Sequence, residues 1–253
     1  MRVMMQIGAW LLLLAVLAGA SAAQAGDEAA IAAYRAGDMA AARAEWLAVL
    51  EEPDAPRGPE RGRILYDLGN VAFREGKTLE AVGWYSAALQ YRPRDPDTWA
   101  NLEEARNRAR LEPADRGDLS DTLRRLVRSF TPQESRWLAA GGFALLAAAL
   151  AFEALRGGRA ARWTAIGAGC VALLSCVPCV DASLRAQRDP LLVIEPERAS
   201  VRSEPREKAA VVAEVPAGDE VERVDELPDW TKVHTQGGVE GWIRTRAVFD
   251  LRR

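Results

Sequence analysis

Cys176-Val177-Pro178-Cys179 is the pairing in this sequence with the plainest reactive potential, because two thiols three residues apart can form and break a disulfide. The setting argues against it. All three cysteines of the chain, Cys170, Cys176 and Cys179, fall in or at the end of one apolar stretch. No base stands near them in sequence, and no strand–helix–strand pattern surrounds them. Two readings stay open, a membrane thiol oxidoreductase using Cys176 and Cys179, and plain packing of small apolar side chains. The single histidine, His234, leaves a His-dependent triad or a multi-His metal site almost without raw material. We therefore expect no enzyme, with no catalytic residue, no metal ligand set and no cofactor. A net charge of −3 without a basic block gives no reason to expect nucleic acid as a partner.

The thiols lie in the second of two apolar segments, Trp137–Leu155 and Trp163–Val180. The first would rise about 28 Å as a helix, close to a hydrocarbon core of about 30 Å. Residues 156–162 form a bridge with Arg156, Arg159 and Arg162 and no acid. So short a connection joins antiparallel neighbours, which predicts a transmembrane hairpin whose two flanks face one compartment. Ala140, Ala144 and Ala148 on the first segment, and Ala165 with Gly169 on the second, form small-residue stripes that let membrane helices pack closely. Glu153, the one acid within a span, is expected to snorkel beside Arg156.

The N-terminus supplies the direction. Met1-Arg2, the leucine-rich Trp10–Leu17 and three overlapping A-x-A patterns up to Ala25 have the form of a secretory signal peptide over residues 1–25. An uncleaved anchor over Val3–Ala20 is the alternative, and both export the segment C-terminal to them. The bridge is then cytoplasmic and both flanks lie outside.

Residues 26–112 carry an internal repeat. Leu65…Leu68-Gly69…Gly76…Ala81…Tyr85…Ala88-Leu89…Pro93 has the order and spacing of a tetratricopeptide repeat. Gly69 and Ala81 belong where two helices approach closely, Gly76 punctuates the turn, and Pro93 ends the second helix. One repeat cannot bury its own apolar face. Tyr34…Gly37…Ala42…Trp46…Leu50 reads as a repeat upstream, and Trp99…Leu102…Ala105 as a closing helix. The predicted helices are roughly 27–36, 39–52, 61–75, 78–91 and 96–111. Resemblance to this family implies a peptide-binding groove lined by the first helix of each repeat. The groove positions here are Arg63, Tyr66, Asp67 and Asn70, then Asp97, Ala100, Asn101 and Glu104. A solvated face is the alternative for all of them. Such acids do not suit the family's clamp for a C-terminal carboxylate, which needs several lysines or arginines.

In the linker 113–136, Leu119, Leu123, Leu126, Val127 and Phe130 follow helical spacing, with Arg124, Arg125 and Arg128 on the other face. An amphipathic helix on the bilayer surface fits this pattern, and a helix docked on the repeat stack is the alternative. Trp137 suits an interfacial anchor.

A linker, 181–191, leads to residues 192–253, which switch to short β-type runs. Leu192–Glu195, Ala210–Val215, Asp219–Val224, Trp230–Thr235 and Gly238–Ile243 are the predicted strands of a small barrel. Val201-Arg202-Ser203-Glu204-Pro205, Ala217-Gly218-Asp219 and Gly241-Trp242-Ile243 resemble the landmarks of bacterial SH3 domains. In that family such motifs imply a core position for Val233 and, for Trp242, packing across the barrel mouth. The candidate ligand surface is Trp230 and Trp242, with core filling as the alternative. The family resemblance implies binding to cell-wall peptidoglycan or to protein.

The expected fold class is thus multidomain: an α-helical tetratricopeptide-type repeat stack, a two-helix transmembrane hairpin and a C-terminal small all-β SH3-like barrel. This order of parts resembles the BatE-type proteins of the Bat aerotolerance operons. That resemblance implies partners among membrane proteins with von Willebrand A domains and a MoxR-type ATPase. The expected function is a scaffold in the bacterial inner membrane, with both soluble modules facing the periplasm or cell exterior. A peptidoglycan sensor is the alternative.

Overall fold

A computed structural model of the chain describes residues 23–113 and 119–252. The expected signal peptide, residues 1–25, lies outside the described residues up to residue 22, as does part of the linker at 114–118. One compact unit comprises the chain up to Glu112 together with the chain from Pro190 onward; Pro113–Asp189 forms a second.

In the first unit, α1 is helical over residues 23–36. Next in the chain are α2 (Met39–Glu51), α3 (Pro59–Arg74), α4 (Thr78–Tyr91) and α5 (Pro96–Arg108). Caps and prolines set these limits. Asp38 accepts a hydrogen bond from the Ala41 amide at 2.9 Å, and Asp95 one from the Thr98 amide at 3.2 Å. Pro59 and Pro96 open their helices where the missing N–H costs nothing. Close approach explains the small residues. A Cβ on Gly69 would stand 2.5 Å from the Tyr85 ring, so α3 and α4 meet across a glycine. Leu65, Leu68, Val71, Ala72, Ala81, Tyr85 and Ala88 are buried in the core that these helices help to form.

The same unit contains an antiparallel sheet of β1 (Pro190–Val193), β2 (Arg198–Arg202), β3 (Val211–Pro216), β4 (Glu220–Glu226), β5 (Trp230–His234), β6 (Glu240–Arg244) and β7 (Val248–Asp250). Their order is β3-β2-β6-β5-β4-β1-β7. Strands β2 and β7 are additional to the expected five. The first hides in the Val201–Pro205 motif, and the second is too short to show an alternation. Leu191, Val193, Val201, Val221, Val233 and Ile243 form the sheet's core.

The helices and the sheet share a second core. Leu192, Phe249 and Leu251 are buried in the same apolar cluster as Trp84 and Val82. The Phe249 ring meets the Trp84 ring edge-on, with centroids 4.8 Å apart, and lies where a Cβ on Gly83 would be 2.6 Å away. Gln90 Nε2 donates to the Leu251 carbonyl at 2.9 Å, and Leu111 packs at Gly218. The two modules read as separate in sequence are one body.

In the second unit, α6 (Leu119–Arg128), α7 (Pro132–Arg156) and α8 (Gly158–Gln187) succeed one another. Thr131 caps α7, its hydroxyl accepting from the Glu134 amide at 3.3 Å while the Glu134 carboxylate accepts from the Thr131 amide at 2.9 Å. The expected seven-position bridge is corrected here. Helix α7 runs to Arg156, and Arg159 and Arg162 already lie in the first turns of α8. Gly157 (φ 62°) and Gly158 (φ 95°) make the reversal, in a region where a side chain would be strained. Helix α8 also continues past Val180 to Gln187, and Pro178 lies inside it.

The expected small-residue stripe on the first span is corrected as well. Ala140, Ala144 and Ala148 are exposed. The buried or half-buried positions of α7 include Ser135, Ala139, Gly142, Leu146, Ala149 and Glu153, and those of α8 include Ala161, Ala165, Ala168, Ala172, Ser175 and Cys179. Steps of four and three alternate on both helices, the signature of a coiled-coil seam. Glu153 lies 3.6 Å from Arg162 of α8.

A Cβ on Gly142 would fall 2.1 Å from Ser175 Oγ and 3.1 Å from the Ala172 backbone, whereas one on Gly141 meets nothing within 4 Å. Gly142→Leu is therefore expected to cost about 1–3 kcal/mol through overpacking. Unfolding in detergent micelles should show a lowered midpoint for Gly142→Leu and none for Gly141→Leu.

Helices α7 and α8 are both long and apolar enough to cross a membrane. Trp137, Phe143, Leu150, Leu155, Leu173 and Leu174 are exposed on them. Helix α6 packs against α8 and leaves Leu119, Leu123 and Leu126 exposed.

Candidate functional site

Two surfaces of the first unit carry the residues singled out from the sequence. The first is the row of first helices, α1, α3 and α5. Helical spacing puts Arg63, Tyr66, Asp67 and Asn70 on one face of α3, and Asp97, Asn101 and Glu104 on one face of α5. Five of these are joined by direct bonds, to one another or through shared partners. Arg63 donates to Asp67 at 2.9 Å, to Glu60 at 2.7 Å and, across to α1, to Asp27 at 2.6 Å. Asn101 Nδ2 donates to the Tyr66 hydroxyl at 3.0 Å and to Asn70 Oδ1 at 3.1 Å, the latter also accepting from the Tyr85 hydroxyl at 2.9 Å. Asp97 and Glu104 stand exposed, Glu104 bonded to Arg108 at 2.8 Å.

The face is therefore a polar network that stitches consecutive first helices together, with a solvated acidic edge. Asp27, Tyr34 and Arg74 belong to it and were missed. Asp27 also accepts from Trp46 Nε1 at 2.9 Å, and the Arg74 guanidinium lies 4.2 Å from the Tyr34 ring centroid. A signal for the first existed: Asp27 and Arg63 are 36 residues apart, close to a repeat period of about 34.

Three acids converge on the Arg63 guanidinium, and Asp67 and Asp27 are the two largely removed from water. Burial raises the Asp67 pKa from 3.8 to about 6; the charge of Arg63 opposes that rise, and that of Asp27 adds to it. A raised carboxyl pKa means that the folded state is favoured by protonation. The destabilisation is absent below about pH 3.8, grows as pH rises through the window, and is complete above about 6. Asp67→Asn removes that dependence. Its stability relative to the natural chain is expected to improve by up to about 3 kcal/mol between pH 4 and 7. Chemical denaturation at the two pH values measures this; an unchanged difference contradicts it.

The second surface is on the sheet. In the ladders, Arg202 is opposite Trp242, Trp242 opposite Lys232, and Arg244 opposite Trp230. Residues directly opposite share a face, and alternation puts Val201, Val233, Gly241 and Ile243 on the other one, in the core. Both expected tryptophans are thus on the outer face, interleaved with three cations. They differ in access. Trp230 is only 7% exposed, with the Arg244 guanidinium 4.4 Å from its ring centroid, while Trp242 is half-buried. The arginines are what sequence reading missed here, since Arg202 and Arg244 are 42 positions apart (244 − 202) and meet only through strand pairing. Next to them, Pro228, Asp229, Arg244, Thr245 and Arg246 line an open cleft.

Cys176 and Cys179 are free and half-buried in α8, and Cys170 is exposed. Cys179 lies on the seam with α7. Among the described residues no group of His, Cys, Asp and Glu is arranged to hold a metal ion. His234 is exposed, with Nδ1 3.8 Å from Glu240.

Residues 197–248 match the family model described as bacterial SH3 domain. The match takes in β2 to β6 and the start of β7, and so both tryptophans and the arginines around them. No curated protein matches the chain.

Proposed function

We propose that this chain is a membrane-anchored scaffold, without enzymatic activity, whose soluble body binds partner proteins. The observation that carries this is the shared core of helices and sheet around Phe249 and Trp84. A body assembled from the chain before the hairpin and the chain after it lies on one side of any membrane that the hairpin enters. Two antiparallel spans, α7 and α8, satisfy that requirement. A leader over residues 1–25 would place the body on the periplasmic or outer face. The exposed leucines of α6, next to the first span, suit the lipid surface. The 36-residue and 35-residue offsets of the bonds between first helices support reading the stack as tetratricopeptide repeats.

The likeness in domain order suggests a place in an aerotolerance or envelope-stress complex, with von Willebrand A-domain membrane proteins and a MoxR-type ATPase as partners. Crosslinking in cells and then mass spectrometry tests the scaffold. Recovery of specific protein partners with the soluble body is expected, and recovery of none contradicts it. The bacterial SH3 match also favours a second reading, a peptidoglycan-binding sensor. Retention of the solubilised full chain on purified wall sacculi, lost on changing Trp242, would select it.

A further inference from the structure

We infer that the outer face of the sheet holds a carboxylate-binding site for an extended peptide, formed by Arg202, Arg244 and Arg246 beside Trp230, and that Glu207 occupies it from within the chain. The inference rests on reading the sheet as a binding module.

Glu207 belongs to the turn between β2 and β3 and reaches back over the face. Its Oε1 accepts from Arg244 Nε at 2.9 Å and also from Arg244 Nη2, and its Oε2 lies 3.8 Å from Arg202 Nη2. The carboxylate is thus held at both oxygens, by two arginines from different strands. Arg202 is itself fixed, donating through Nη1 to the Ala209 carbonyl at 2.9 Å. Arg244 is fixed by stacking on Trp230. Two guanidinium groups held rigidly lose little freedom when they meet a planar anion, which is what a carboxylate site needs. The hydrogen bond from Arg244, helped by the charges of Arg244, Arg202 and Arg246, lowers the Glu207 pKa. The guanidinium cluster therefore favours an ionised carboxylate.

Glu207 is a poor permanent occupant. Its side chain is 58% exposed, so the pair sits in water and holds only weakly. The adjacent cleft continues the site along Pro228, Asp229, Thr245 and Arg246, and Arg246 is exposed there. A peptide lying in the cleft would bring its own carboxylate to the cations that Glu207 now covers. Trp242 and Lys232 continue the face along β6 and β5. Charge complementarity favours an anionic peptide group as the occupant.

The test is a titration of the full chain in nanodiscs, watched through the side-chain Nε–H signals of Arg202 and Arg244 by nuclear magnetic resonance. Three probes are used: acetyl-Gly-Gly-Gly with a free C-terminus, acetyl-Gly-Glu-Gly-amide and acetyl-Gly-Gly-Gly-amide. A shift with either carboxylate-bearing probe, absent with the neutral amide, supports the inference, and the responsive probe says whether the carboxylate is terminal or a side chain. Glu207→Gln is expected to tighten that binding about two- to fivefold by removing the internal competitor. Arg246→Gln should weaken it. Equal binding of the neutral amide overturns the carboxylate site while leaving the sheet a binding module. No response to any probe, or no tightening in Glu207→Gln, overturns the inference.

Discussion

Replacing Phe249 by alanine is expected to cost the soluble body about 3–5 kcal/mol and to split one cooperative unfolding transition into two. Phe249 is 5% exposed, and its ring fills the space over Gly83 against the edge of Trp84. Removing the ring leaves a cavity whose other walls are buried Leu192 and Leu251 and the surface of α4. The helices cannot close it, because α4 is itself held against α3 through Tyr85 and Gly69. The links left between stack and sheet are then Leu192 and Leu251 around the cavity, the Gln90 bond to Leu251 and the Leu111 contact at Gly218. With the ring gone, these bury too little apolar surface to keep the two parts melting together. Urea unfolding monitored by tryptophan fluorescence and by far-ultraviolet circular dichroism should diverge in the variant and coincide in the natural chain. Val212→Ala, at an exposed position on β3, should change stability by less than about 0.5 kcal/mol. A single transition in Phe249→Ala, with a loss no larger than that of Val212→Ala, would mean that Phe249 is not what couples the two cores.

The second large effect is expected at Trp46. The side chain is 1% exposed, its ring lies 5.9 Å from that of Tyr34, and its Nε1–H is bonded to Asp27. Trp46→Ala removes both the apolar volume that joins α1 to α2 and the donor that positions Asp27. The volume alone accounts for a loss of about 3–5 kcal/mol. Asp27 keeps its bond to Arg63, so the link from α1 to α3 persists in part. Trp46→Phe should retain much of the volume and lose about 1 kcal/mol for the hydrogen bond. Thermal unfolding of the two variants separates the contributions. Equal losses in both would mean that the indole bond, not the packing, holds the first helical pair.

These two residues also mark how far the fold was legible in sequence. Trp46 stood out because Tyr34, Gly37, Ala42 and Leu50 surround it at intervals that a helical pair repeats. Gly69 and Tyr85 were readable for the same reason, both partners lying within one repeat. Phe249 carried no such signal: it ends the sheet, and its partner Trp84 is 165 positions away (249 − 84). Periodicity reports which face of an element is apolar, not which distant face it meets. The hairpin shows the same boundary. Hydropathy located both spans, but the seam runs through Gly142 and Ser135, not the alanine series 140, 144 and 148, because alanine is small enough for either face.

For the candidate sites, residue type was readable and pairing was not. Arg63, Tyr66, Asn70 and Asn101 were placed on the correct helices. Their bonds to one another, which decide how much of the face is open to a ligand, depend on how consecutive repeats stack. Trp230 and Trp242 were recognised from local motifs. The arginine that covers Trp230 and the glutamate that covers the arginine are brought together only when β2 and β6 pair.

The central claim is one soluble body on one side of a membrane, tethered by two spans. Single cysteines at Glu104, Lys208 and Arg159, each exposed, test it in a chain whose three native cysteines are replaced by serine. An impermeant maleimide applied to intact spheroplasts is expected to label Glu104→Cys and Lys208→Cys alike, and Arg159→Cys only after permeabilisation. Labelling of the first two from opposite sides, or of all three without permeabilisation, would contradict the account.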